Sequence, residues 1–412
     1  MKKFLYLCFC FLSCFSYIYA SDGKPLKIAV ISDVHYLSSA LAEEGTALAA
    51  YEASTGRNIR DLHKVFDHVM DDLKKERPDL LFIPGDITNN GERQSHIDFI
   101  EAILPLQQQG TRILIVPGNH DINIPAAKAY RGEEMVPTET ISVLDFTSLY
   151  HVFGYDDALS RDTVSLSYLT ALNNHLWLLC LDANRYDENR TSSITAGRIR
   201  PQTMEWALKI LEEAKERGIT VLGMMHHGLV EHLPYQSTFF SDYLVEHWRE
   251  NAALFADAGL KVIFTGHFHA NDVTMFTSNS GNSLYDVETA SLAQYPFAYR
   301  IMLLTDHKLS IDTRFVTSIP GKPDLENEYR EKMEQIALRT ARNFLQRVQM
   351  PLTEEAKTVL TDLMVKLSFL HVRGDEVSDA ETEQAIRSFA ELLDNSAEIG
   401  EFAFDFPPAD NR

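Results

Sequence analysis

Five short apolar runs of this chain end on side chains that can ligate a cation. ISDVHY (31–36) delivers Asp33 and His35, GDITNNG (85–91) delivers Asp86, and VPGNHD (116–121) delivers Asn119, His120 and Asp121. MMHHG (224–228) adds His226 and His227, and FTGHFH (264–269) adds His267 and His269. Taken singly, most such endings are turns or helix caps. GNHD and GHFH are more specific: a His gains nothing between turn-forming Asn and Asp, and two imidazoles one residue apart share a face of an extended chain. Asp33 and His35 likewise share a face if their strand runs through them. Five endings in succession point to one common site. Together these carboxylates, imidazoles and an amide oxygen supply more donors than a single tetrahedral zinc takes. Two ions sharing a bridging carboxylate fit the count. Such a pair clamps the attacking and departing oxygens of a displacement at phosphorus and generates hydroxide at neutral pH. The mixture of imidazole and oxygen suits Mn, Fe, Zn or Co better than Ca or Mg.

The elements that must position these groups are LKIAVIS (26–32), DLLFIP (79–84), RILIVP (112–117), LWLLCLD (176–182), ITVLGMM (219–225) and KVIFT (261–265). Each is short, rich in Ile, Val and Leu, and bounded by turn residues, as strands buried on both faces are. Between them, 59–76, 92–107, 202–217 and 242–258 carry helical spacing, as in Leu62, Val65, Phe66, Val69 and Leu73. Strand and helix in alternation argue α/β layers, whose ligands bind beyond the carboxyl ends of the strands. From 284 to 316, SLYDVET, AYRIMLLT and LSIDTRFV read as consecutive strands closing a second sheet. After a linker at IPGKPD (319–324), helical patterns follow: Asp324 caps the first, Pro351 stops it, Thr353 starts the next, and SDAE (378–381) forms a capping box. No chemistry is evident in this tail.

Composition narrows the functions. At 412 residues, 45% hydrophobic and 24% charged, the chain can bury one large core with an appendage. A net charge of -21 without a Lys/Arg stripe excludes nonspecific binding of duplex nucleic acid or anionic lipid. An anionic substrate therefore needs local positive charge, from a few arginines or from a metal. Lys2 and Lys3 ahead of an apolar stretch ending at Ala20 read as a secretory signal, cleaved to give a periplasmic or secreted protein with no membrane span. The alternatives are an N-terminal membrane anchor and lipidation at Cys14. Of four cysteines only Cys180 lies beyond that leader, as a buried small hydrophobe, so neither a disulfide scaffold nor a Cys-based zinc site is expected.

D-x-H, G-D, G-N-H-D, H and G-H-x-H in this order resemble the calcineurin-like metallophosphoesterases, over residues 27 to 316. The resemblance implies an α/β fold, a four-layer αββα sandwich of two mixed sheets, here with a C-terminal helical appendage: leader 1–20, catalytic domain 21–320, helical region 321–412. It also implies that Asp33, His35 and His269 hold one metal, that Asp86 bridges, and that Asn119, His226 and His267 complete the second. His120 resembles the family's non-ligand histidine, which contacts phosphate and protonates the leaving alkoxide, with Asp121 orienting it. His227 then lines the pocket or faces solvent. Purple acid phosphatases carry D-x-G and a tyrosine ligand, and protein serine/threonine phosphatases G-D-x-x-D-R-G, where this chain has His35 and GDITNNG. The pattern is nearer the cyclic-nucleotide and glycerophosphodiester phosphodiesterases, with a phosphomonoesterase or nucleotidase as the alternative on the same small-phosphoester site. The stretches 122–175 and 182–202, the latter with Arg185, Arg190, Arg198 and Arg200, could roof that site. The rival from another class is a non-catalytic metal-binding interaction protein.

Overall fold

The structure, a computed structural model, describes residues 24–125, 127–233, 236–305, 308–347, 353–374 and 384. The leader, Cys14 and the SDAE capping box lie outside them. In chain order the strands are β1 (Leu26–Val30), β2 (Leu80–Pro84), β3 (Arg112–Val116), β4 (Lys128–Arg131), β5 (Glu134–Pro137), β6 (Ser160–Arg161) and β7 (Tyr168–Asn173). There follow β8 (Leu176–Leu181), β9 (Thr220–Met225), β10 (Val262–Thr265), β11 (Asp272–Thr277), β12 (Ser283–Glu288), β13 (Ala298–Thr305) and β14 (Lys308–Phe315). The helices are α1 (Thr46–Thr55), α2 (Leu62–Glu76), α3 (Arg93–Gln108), α4 (Val143–Leu149), α5 (Pro201–Glu216), α6 (Gln236–Phe239), α7 (Trp248–Ala258), α8 (Leu325–Arg347) and α9 (Glu354–Arg373).

Two mixed sheets lie face to face. One runs β14-β13-β1-β2-β3 and the other β11-β12-β10-β9-β8-β7-β6. All five residues of β2 and all six of β8 are buried, as strands covered on both faces must be. Cys180 sits fully buried in β8. On the outer face of the first sheet, Val65, Phe66, Val69 and Leu73 of α2 and Phe99, Ile103 and Leu106 of α3 join the main core. On the outer face of the second, Ala207, Ile210, Leu211 and Ala214 of α5 and Ala252, Phe255 and Ala256 of α7 close a separate core. The four layers follow from these two helical coats.

The last three strands correct the sequence reading. They do not close one sheet together: β12 pairs parallel to β10, whereas β13 lies antiparallel to β1 and carries β14 at the edge of the first sheet. Alternating burial alone does not say which sheet a strand joins. The stretch 122–175 holds the β4–β5 hairpin, α4, the edge strand β6 and its neighbour β7. Thr353 caps α9 by accepting from the Ala356 amide. Among the described residues no helix is long and apolar enough to cross a membrane.

Candidate metal centre

The parallel strands β1, β2, β3, β9 and β10 bring their carboxyl ends to one edge, and each candidate ligand lies a few residues beyond such an end. The backbone there is not extended. β1 stops at Val30 and β10 at Thr265, and Asp33, His35, Asp86, His267 and His269 take φ of 49, 46, 46, 76 and 60°. Each such left-handed non-glycine residue costs about 1–3 kcal/mol, held by the surrounding structure. The expectation that D-x-H and H-x-H present a shared strand face is therefore corrected. With the chain turning at every step, His267 and His269 enter two different groups.

Asp33, His35, Asp86 and His269 form the first group, their donor atoms all within 4.8 Å of one another. His35 Nε2 stands 3.1 Å from His269 Nε2, and His269 Nε2 stands 3.3 Å from Asp33 Oδ1. Asp86, His226 and His267 form the second. There His226 Nε2 lies 3.1 Å from Asn119 Oδ1 and 3.4 Å from Asp86 Oδ1, while Asp86 Oδ2 lies 3.6 Å from His35 Nε2. Asp86 thus turns one oxygen to each group. Gly118 and Gly266 allow this approach: a Cβ at 118 would overlap the Asp86 amide and Oδ1, and one at 266 the side chains of Ser32 and Asp33.

Four of the donors are aimed by a partner behind them, whereas His35 Nδ1 is buried without one among the described residues. His226 Nδ1 bonds the Pro84 carbonyl at 2.8 Å, His267 Nε2 the Asp242 carbonyl at 3.1 Å, and His269 Nδ1 the Gln294 Oε1 at 2.9 Å. Asn119 Nδ2 donates to Ser193 Oγ at 2.8 Å, which leaves Oδ1 facing inward. Asp33 Oδ2 accepts from Ser32 Oγ and the His267 amide, but its Oδ1 is buried with no hydrogen-bond partner among the described residues. Imidazoles fixed through their second nitrogen and an orphaned buried carboxylate oxygen fit a cation site.

The electrostatics agree with that fit. Burial alone would raise Asp33 and Asp86, but the His269 imidazole holds the first below the usual carboxylate range, and His226 and His120 hold the second well below it. Burial, with Arg57 next in effect, pushes His35 well below its usual value; burial and then His226 push His267 down to about 4. Ionised carboxylates and neutral imidazoles are the forms that ligate. His226 differs: despite burial, the Asp86 carboxylate beside it lifts it to about 9.

Asp121 corrects a second expectation. Its carboxylate accepts from the amides of Gly118 (2.7 Å), Thr88 (2.9 Å) and Ile87 (3.2 Å) and from Thr88 Oγ1 (3.0 Å). It ties the β2 and β3 loops together, and among the described residues no hydrogen bond or ion pair joins it to the His120 ring. Asn90 takes that place, with Oδ1 3.0 Å from His120 Nδ1, and the opposite nitrogen, Nε2, lies 3.1 Å from Arg57 Nη2. Burial, followed by the Arg57 charge, pushes His120 down to about 3. His227 does not face solvent: it is buried, with Nε2 2.9 Å from the Thr195 carbonyl.

The arginines of 182–202 are spent locally. Arg185 pairs with Glu188 and Glu246, Arg198 with the same two, and Arg200 with Asp187, while Arg190 donates to backbone carbonyls. That stretch reaches the site instead through Ser193 and Thr195. Sequence reasoning missed Arg57 and Gln294, which carry no local pattern, and gave no site role to Asn90 of GDITNNG or to Ser193 of 182–202. The helical tail also braces the site: Tyr329 bonds Asn58 beside Arg57, and His371 packs on Phe268 between the two histidines of GHFH, ring centroids 4.8 Å apart.

A family model described as calcineurin-like phosphoesterase matches residues 26–271. No protein of curated function matches the chain. A dimetal phosphatase from Danio rerio is similar in structure, with a TM-score of 0.47 and 12% identity over 70% of this chain and 96% of that one. A putative 5'-nucleotidase from Staphylococcus aureus gives a TM-score of 0.40 and 12% identity over 83% of this chain and 58% of that one. Phosphopantetheinyl hydrolase from Mycobacterium tuberculosis gives 0.31 and 11% over 65% and 91%.

Proposed function

The chain belongs to the calcineurin-like phosphoesterase family, and on that premise we propose that it hydrolyses small phosphoesters at a dinuclear metal centre held by seven side chains. One observation carries the reading: two groups of donors, from four strand ends, share Asp86, and Asn119 from a fifth lies beside His226. Asp33, His35, Asp86 and His269 would hold one ion and Asp86, Asn119, His226 and His267 the other. When bound, such a pair acidifies water and offsets charge on the phosphoryl oxygens. Asn119 offers its ion a neutral oxygen and so leaves the ion's charge undiminished. Ser193, Gln294 and the Pro84 and Asp242 carbonyls keep the donors aimed. His120, whose amide donates to Asp86 Oδ1 at 2.9 Å, stands over the shared carboxylate. Its part is to protonate the departing oxygen as the P–O bond breaks. Arg57 only donates, so Nε2 accepts from it in this state. The proton can sit there once Arg57 turns to another acceptor.

The expected diester preference is supported by the motif pattern, whereas the unpaired charge of Arg57 beside His120 favours a monoester. Protein loaded with Mn²⁺ is expected to cleave p-nitrophenyl esters of phosphate, with EDTA abolishing turnover. His120→Ala should retain both metals and lose about 10²–10⁴-fold in kcat, most for poor leaving groups. Metal-loaded wild type that cleaves no ester in a broad panel would return the protein to the metal-binding, non-catalytic class.

A further inference from the structure

We propose that Arg57 is the cationic end of a phosphoryl-oxygen subsite that makes terminal phosphomonoesters the preferred substrates. The inference rests on the hydrolase reading above and narrows its substrate class.

Arg57 is only 8% exposed, and among the described residues no carboxylate lies within ion-pair distance of it. Its Nη1 is fixed by Tyr51 Oη at 2.9 Å, the Asn89 carbonyl at 3.0 Å and Asn89 Oδ1 at 3.1 Å. Its Nη2 reaches His120 Nε2 at 3.1 Å, and the His120 ring in turn stands 5.2 Å, centroid to centroid, from His35. All its hydrogen-bond partners are neutral, so no ion pair offsets its charge, and buried Glu92 feels that charge only at longer range. The arginines at 185, 198 and 200 each have acids of their own. Arg57 is therefore a fixed positive charge one ring away from the candidate ligands, with a neutral imidazole in the place of an anion.

The chemistry of the two ester classes separates on this charge. A diester has two non-bridging oxygens and one negative charge, which a metal pair can take up alone. A monoester keeps a third anionic oxygen, and a planar fork of N–H donors suits phosphate oxygens. Transfer of Nη2 from His120 to that oxygen supplies the missing counter-charge and frees Nε2. Tyr51 and Asn89 anchor the other arm and keep the guanidinium beside His120. Substrate entry and the readiness of His120 are coupled by the same guanidinium.

The test compares kcat/KM for p-nitrophenyl phosphate and bis(p-nitrophenyl) phosphate on full-length, metal-quantified wild type, Arg57→Gln and Arg57→Lys. Arg57→Gln should lose about 10- to 100-fold on the monoester, the span of one or two charge-assisted hydrogen bonds, and little on the diester. Competitive inhibition by inorganic phosphate should weaken in parallel, and Arg57→Lys should recover part of both. Equal losses on the two esters, or unchanged inhibition by phosphate, would overturn the proposal. Should Arg57→Gln not fold, Arg57→Lys decides by the same ratio, a selective monoester loss supporting the subsite and an equal loss refuting it. Wild type inactive on both esters sinks the hydrolase reading and this one with it. Wild type active on both, with a ratio that Arg57 does not move, sinks this one alone.

Discussion

At the ends of β9 and β10, His226 and His267 face Asp86; close by, His232 faces Asp272 of β11 and Asp286 and Glu288 of β12, equally buried. The residue types are the same and the outcome differs. In the first region lone pairs from separate loops converge within 4.8 Å of one another. In the second, two of the three acids are consumed. Asp272 Oδ2 accepts from His232 Nδ1 at 2.8 Å and from Thr274 Oγ1 at 2.7 Å. Asp286 accepts from the Leu229 and Val230 amides and from Thr265 Oγ1. Among the described residues, only the two groups around Asp86 gather three or more such donors within 4.8 Å. Glu288, with both oxygens buried and unbonded, is pushed up to about 8 by burial, against the opposing His232 charge, and so holds a proton near neutrality. Burying His, Asp and Glu together makes an ion network; aiming them at one point makes a candidate cation site.

Matched neutral replacements would break this contrast if it is wrong. Asp86→Asn should have the largest effect, removing metal and activity together by at least about 100-fold, more than outer partners cost. Metal content by mass spectrometry beside turnover checks it, and a fully loaded, active variant would contradict a shared carboxylate. Gln294→Leu unfixes His269 Nδ1 without touching a donor and should weaken metal affinity about 10- to 100-fold. A chelator titration measures this, and affinity equal to wild type would show that the His269 ring is held without Gln294.

Glu288→Gln should have the smallest effect and leave metal content alone. Its folded-state value lies above the ordinary 4.5, so between about 4.5 and 8 the folded state keeps a proton that the unfolded chain has released. That proton makes wild-type stability fall as pH rises through the window. The variant lacks this slope, and its unfolding midpoint should gain on wild type from pH 5 to pH 8. A constant gap between the two midpoints would mean that Glu288 ionises like a surface acid.

The sequence by itself determined the inventory of this centre. Asp33, His35, Asp86, Asn119, His226, His267 and His269 were visible because each follows an apolar strand and a local turn, and such short-range patterns survive in one dimension. It also determined the helical coats, whose apolar spacing repeats within a single element. The tertiary structure decided what depends on separate loops meeting. It sent His267 and His269 to different groups through left-handed backbone, set His226 against the Pro84 carbonyl and His227 against the Thr195 carbonyl, and divided β12 from β13 between two sheets. It spent Asp121 on loop amides and put Asn90 and Arg57 against His120, from residues 30 and 63 positions away in the chain. A side chain's neighbours along the chain fix its type and local turn, but its hydrogen-bond partner is whichever loop the packed sheets bring beside it.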